Sequence, residues 1–171
     1  NPGTFGVNGQ VATSTLWDPD GSGPLGPRLV LAGSFSAAAY SATQGWTVST
    51  PGVAAYDLAN GVWSTIGSLG SVVAIRASST GGLFAASGTY VYSWDGSSWQ
   101  PLGSGMNGAV NAITVLNNGD VMAGGAFTIA GGITTNGFAR WNGSVWQNPG
   151  LGVAAVGHAL TTLANGHVIA G

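Results

Sequence analysis

The sequence predicts an all-β fold: a β-propeller or partial propeller of four-stranded antiparallel blades, about three and a half repeats in length. Three observations carry that expectation. Asn-Gly or Asp-Gly pairs stand between strand-like runs at Asn60-Gly61, Asp95-Gly96, Asn118-Gly119, Asn142-Gly143 and Asn165-Gly166. Such pairs are favoured in two-residue hairpin turns, where both central positions take a positive φ. Aromatic residues recur in phase with those turns: Tyr56, Trp94 and Trp141 upstream, Trp63, Trp99 and Trp146 downstream. No segment shows helical periodicity; the alanines of "SFSAAAYSAT" sit where the other units carry a loop.

Each unit reads as four short strands, a to d. In the best-formed unit strand a runs from Val110 to Leu116, and the Asn118-Gly119 turn leads to strand b, Val121 to Gly124. Strand c follows a loop, Phe138 to Trp141, and the Asn142-Gly143 turn leads to strand d, Val145 to Gln147. A glycine-rich joint then opens the next unit. On this reading residues 1–171 form one repeat domain, with units at about 9–67, 70–103 and 107–148 and a partial one at 153–171. The first unit carries a long b–c loop, Ser36 to Pro51, with Tyr40 and Trp46 in it, and the second shortens the same loop almost to nothing. A four-stranded sheet of this size cannot bury both its faces alone; stacked radially, each would cover the next, with tryptophans filling the gap.

Composition limits the functions open to such a fold. Apolar residues make up 44% of the chain and mean hydropathy is +0.30, which marks a sequence able to build a core. Charged residues are only 5%, with no Lys and no Glu. Three arginines and a net charge of −2 argue against nucleic acid and against an anionic membrane surface, both of which need clustered cations. No uncharged apolar run approaches the ~18 residues that span a bilayer. Cysteine is absent, which removes disulfides, thiolate metal ligands and cysteine nucleophiles. Low charge with abundant Gly, Ser, Thr and Asn leans toward an extracellular or cell-surface setting.

The segment "NGAVNAITVLNNGDVMAGGAFTIAGGITTNGFARWNGSVW", Asn107 to Trp146, resembles the tandem repeat of secreted, glycine-rich propeller-like proteins of planctomycete type, akin to kelch and delta-60 repeats. At repeat level the resemblance covers essentially the whole chain. It implies the fold far more than a function, and it brings no catalytic residue set. A closed propeller has at least about four blades. The expectation is therefore a segment of a longer array, with the edge of "HVIAG" covered by further chain or by a neighbour.

Each motif that could carry chemistry also has a plainer role. "GSGMNG" and "GSGPLG" fit G-x-G-x-x-G, yet strands follow both where a dinucleotide loop needs a helix. In "DPDGSG", Asp18, Asp20 and Ser22 hold positions 1, 3 and 5 of a calcium loop, but Leu29 stands where the bidentate Glu belongs. A proline-stiffened hairpin turn is the favoured reading, with weak surface calcium binding as the alternative. His158 and His167 lie in the last unit, where a hairpin could bring them together, without acids nearby to complete a zinc site. No G-x-S-x-G elbow is present, and five aspartates with no glutamate give a poor basis for paired carboxylates, so no enzyme is expected. Asn142 formally opens an N-glycosylation acceptor, but its hairpin turn is sufficient explanation.

Trp46, Tyr40 and Trp17 do not recur in phase, and they are the residues expected to hold a ligand if one is bound. Two functions follow. The first is a non-enzymatic structural or surface-display segment of a secreted or cell-envelope protein, acting through self-association with further copies or remaining blades. The second is a lectin-like module whose loop aromatics hold neutral glycans. Neither involves nucleic acid, membrane insertion or a cofactor.

Overall fold

The computed structural model describes residues 6–21, 23–41, 45–150 and 156–171, with the backbone alone at 40, 41, 45 and 46. Among the described residues every regular element is a strand. The first sheet comprises β1 (Gln10–Trp17), β2 (Arg28–Ser34), β5 (Val53–Asp57) and β6 (Val62–Thr65), in that order; β3 (Ala37–Ser41) and β4 (Gly45–Ser49) pair as a separate hairpin. The second is a simple meander of β7 (Ala74–Ala77), β8 (Leu83–Ser87), β9 (Tyr90–Trp94) and β10 (Trp99–Pro101). The third orders β11 (Val110–Val115), β12 (Val121–Gly125), β15 (Phe138–Trp141) and β16 (Trp146–Gln147), with β13 (Ile129–Ala130) and β14 (Ile133–Thr134) as a short inserted pair. The chain ends in a two-stranded sheet, β17 (Leu160–Thr162) and β18 (Val168–Ala170). All pairings are antiparallel.

The four strands expected in the best-formed unit are present, with ends within one residue of those expected. The b–c segments of the first and third units, expected as loops, instead contain hairpins. Both are tied down by an asparagine. Asn8 Oδ1 accepts the Ser36 and Ala37 N–H groups, each at 2.9 Å, and its Nδ2 donates to Ser36 Oγ. Asn107 does the same for Thr128 and Ile129 at 2.9 Å, with Nδ2 on Thr128 Oγ1. One amide side chain thus satisfies two backbone donors where each inserted hairpin begins.

The sheets stack on their faces, and their first strands β1, β7, β11 and β17 lie side by side in chain order. Trp17, Val30, Val53, Ile66, Ile75 and Leu83 fill the space between the first and second sheets. Val91, Leu102, Ile113, Val121, Phe127 and Trp146 fill that between the second and third. A smaller group, Ala112, Met122, Phe138 and Leu160, joins the third sheet to the β17–β18 pair. Full burial of each large aliphatic side chain contributes about 1.5–3 kcal/mol, so apolar stacking dominates a molecule with few charges. Arg140 with Asp120 is the one ion pair among the described residues.

Candidate functional site

The feature that recurs with conserved geometry inside the chain is the junction between successive sheets. It begins with the hairpin turns. Asp57, Asp95 and Asn142 each accept the backbone N–H groups two and three residues ahead, at distances between 2.7 and 3.1 Å. These turns set the register that pairs Tyr56 with Trp63, Trp94 with Trp99, and Trp141 with Trp146. The three ring pairs are nearly superposable, with centroids 5.1, 5.4 and 5.5 Å apart and planes tilted by 50°, 55° and 57°.

The indole N–H then reaches back to the sheet before. Trp99 Nε1 donates to the Ile66 carbonyl at 2.7 Å, and Trp146 Nε1 donates to the Leu102 carbonyl at 2.7 Å. In each case the next residue is a glycine of positive φ, Gly67 at 76° and Gly103 at 65°. Each glycine packs on the ring pair: a Cβ at Gly67 would stand 2.8 Å from both Trp94 Cζ3 and Trp99 Cδ1, and one at Gly103 3.1 Å from Trp141 Cζ3. At all three joints a backbone bond also runs from the incoming chain to the second strand of the sheet before or the residue just after it: Val72 to Gly33, Val110 to Gly88 and Gly157 to Gly125. Two positions fall outside the pattern. Trp63 Nε1 is buried with no partner among the described residues. Gly150 has the same left-handed φ, 69°, with no described atom within 4 Å of where its Cβ would be.

The ligand residues expected from sequence are not brought together at one described site. Trp17 is only 5% exposed, packs in the core between the first two sheets and donates its indole N–H to the Gly81 carbonyl at 2.7 Å. Its ring is largely a core element. Only its margin reaches a cleft of ≈ 450 Å³, shared with Leu25, Arg28, Thr65, Trp94 and Asp95. Tyr40 and Trp46 face each other across β3–β4 as backbone partners; their side chains lie outside the described residues.

Asp18 and Asp20 act within their own turn, Asp18 Oδ1 accepting the Asp20 N–H at 3.4 Å and Asp20 Oδ2 the Leu25 N–H at 3.0 Å. Ser22 lies outside the described residues. No group of three or more His, Asp or Glu side chains among the described residues is placed to hold a metal ion. His158 and His167 stand at opposite ends of the β17–β18 ladder, His158 beside Gly171 and His167 beside Leu163. The hairpin therefore holds the two histidines apart.

Asp95 and Asp57 have perturbed acidity. The Ser98 N–H first, then the Ser97 N–H and hydroxyl and the Gln100 amide, hold the Asp95 carboxyl well below the usual carboxylate range. The Asn60 N–H does the same, more mildly, for Asp57. A carboxyl whose acidity is increased by folding stabilises the chain fully above its unfolded value of about 3.9, and that contribution is lost as pH falls through the folded value. Thermal melts from about pH 5 to about pH 2 should therefore show a smaller acid loss of Tm for Asp95→Asn than for the parent chain. Asn142 already makes the same turn with a neutral amide. An unchanged acid slope would count against the role given to Asp95.

Sequence reasoning missed Asn8 and Asn107. The available signal was an Asn-Gly pair just before strand a in the first and third units, away from any hairpin turn. The sequence matches no family model and no curated protein.

Proposed function

We propose that the chain is a non-enzymatic β-propeller segment of a secreted or cell-envelope protein, of the glycine-rich repeat type its sequence resembles, acting as a structural or display element through self-association. The observation that carries this reading is the repeated junction: the same indole-to-carbonyl bond and glycine-on-ring contact at two successive interfaces. A module that propagates by one contact is suited to arrays, whose stability is a sum of units and neighbour interfaces. Both ends also present apolar surface. On the first sheet Val11 and Leu16 are 42% and 64% exposed, and on the last Ile169 is 54% exposed. Sedimentation velocity over a hundredfold range of concentration should show species larger than the monomer growing with concentration. A monomer throughout would contradict self-association.

A lectin-like module is the second reading. It is favoured by the cleft between the first two sheets, where Trp94, Arg28 and Asp95 put aromatic and polar groups on one open surface. Retention on immobilised neutral glycans, abolished by Arg28→Ala at that cleft with assembly intact, is its expected result. Absence of retention by the parent chain removes it.

A further inference from the structure

We propose that the cleft between the first two sheets is a binding site for a small monocarboxylate with a ring body, its carboxylate on Arg28 and its ring beside Trp94. This deepens the lectin-like reading of the same cleft by naming a charged ligand, and it does not depend on self-association. The cleft holds ≈ 450 Å³, the size of a small-molecule site, and lies between two complete four-stranded sheets. It owes its place to the first sheet's connection, which runs from Asp18 to Pro27 between Trp17 and Arg28, where the second sheet turns within Ser78 to Gly82. Pro19 and Leu25 of that connection line it together with Trp94 and Asp95 of the second sheet.

Arg28 is the arginine whose donors are uncommitted. Arg76 Nη1 donates to the Ile75 carbonyl at 2.7 Å, and Arg140 is bonded to Asp120. Arg28 makes no hydrogen bond or ion pair among the described residues. Its head lies over the Trp17 ring, 5.9 Å from the centroid, an attraction that places the guanidinium without using any of its five N–H donors. Arg28 is half-buried, so an acceptor that enters the cleft meets a cation only partly served by water. The indole N–H of Trp94 likewise has no acceptor among the described residues.

The acceptors of the cleft, by contrast, are taken. Asp95 Oδ1 accepts the Ser97 N–H, the Ser97 hydroxyl and the Ser98 N–H at 2.7–2.8 Å. Its Oδ2 accepts the Ser98 hydroxyl at 3.1 Å and the Gln100 amide at 2.9 Å. Those bonds fill the roughly four lone-pair sites of a carboxylate and leave none for a ligand. Asp57, which pairs with Arg28 across β2–β5, is held in the same way by Ala59 and Asn60. Free donors beside saturated acceptors select a ligand that accepts. A neutral sugar, whose hydroxyls must also donate, is served less well than a carboxylate, which matches the guanidinium fork with two parallel bonds. The fixed charges of Asp57 and Asp95 set a limit, because one carboxylate is offset by Arg28 and a second is repelled. The half-buried Trp94 supplies apolar surface against which a flat C–H or aromatic ring packs.

The test titrates the nitrogen-15-labelled 171-residue chain with benzoate and glucuronate, and with their neutral counterparts benzamide and glucose. At least one carboxylate should saturate shifts of the Arg28 Nε–H and the Trp94 indole N–H at about millimolar ligand. Its neutral counterpart should bind at least about tenfold more weakly. Saturation by benzoate alone identifies aromatic acids as the source of the carboxylate, and saturation by glucuronate alone identifies uronic sugars. Arg28→Gln should weaken binding at least about tenfold, with the Trp146 indole shift unmoved as the sign of an intact fold. Arg28→Lys, the milder change, should still weaken it about threefold, because a point charge cannot make the paired bonds. Undiminished binding by either variant, or no saturable shift with either carboxylate, overturns the proposal. Glucose binding as tightly as glucuronate overturns it and leaves the lectin-like reading standing. No binding of any of the four ligands, with no retention on neutral glycans, removes both.

Discussion

Replacing Trp146 by alanine should destabilise the chain by about 3–5 kcal/mol, the range for removing a large aromatic from a packed interior. Trp146 is 4% exposed, sits in the core between the second and third sheets and bonds to the Leu102 carbonyl. The change removes at once a ring that packs on Gly103 and on the Trp141 ring and the donor to a buried carbonyl. For a chain of this length that is a fall in Tm of roughly 10 °C. Two phenylalanine variants separate the hydrogen bond from the ring. Trp146→Phe keeps much of the apolar area and leaves the Leu102 carbonyl without its donor, a loss of about 1–3 kcal/mol. Trp63→Phe removes an N–H that is buried with no described partner, so its effect should stay within about 0.5 kcal/mol of zero. Equal losses at the two positions, measured by denaturant titration, would show that the indole bond is not what distinguishes a complete junction from an incomplete one.

Gly67→Ala should cost about 3 kcal/mol, and Gly150→Ala about 1 kcal/mol. Both glycines have left-handed φ, 76° and 69°, where an alanine costs about 1–2 kcal/mol through its Cβ alone. Only at Gly67 does the new methyl also meet two indoles at 2.8 Å. That contact forces the Trp94–Trp99 pair apart and adds an overpacking cost of about 1–3 kcal/mol. Gly150 meets no described atom and bears the backbone strain only. Matching losses at both positions would mean that the ring pair yields freely, and the junction would then be looser than the geometry implies.

Much of this architecture was legible because it depends on short-range chemistry. The Asx-Gly pairs specify where strands turn, and the phase of Tyr56, Trp94 and Trp141 against Trp63, Trp99 and Trp146 specifies which strands end opposite one another. The inserted hairpins were less legible: β13 and β14 are two residues each, too short for any alternation to register. What organises them is a long-range bond from Asn8 or Asn107, separated from its partners by more than twenty residues. Trp17 stands out in the sequence as a ligand candidate because no tryptophan recurs in its phase. Aligned by the bulges at Val11/Thr13 and Val110/Ala112, it stands where Leu116 stands in the third sheet, which packs against the next core group. The position recurs, and only the side chain changes. The incomplete junctions at Trp63 and Gly150 were invisible in sequence, since both residues look like members of a regular series. They differ in that, among the described residues, Trp63 Nε1 has no acceptor and Gly150 has no ring upon it.

At two joints, successive sheets are locked by a tryptophan N–H bond to the carbonyl of the preceding joint. Indole N–H exchange in the nitrogen-15-labelled chain tests it most directly, because all seven tryptophans report separately. The indole protons of Trp99 and Trp146, with that of Trp17, should exchange only through large-scale opening and be the slowest of the set. Fast exchange at Trp99 and Trp146, at the rate of an indole open to water, would contradict it.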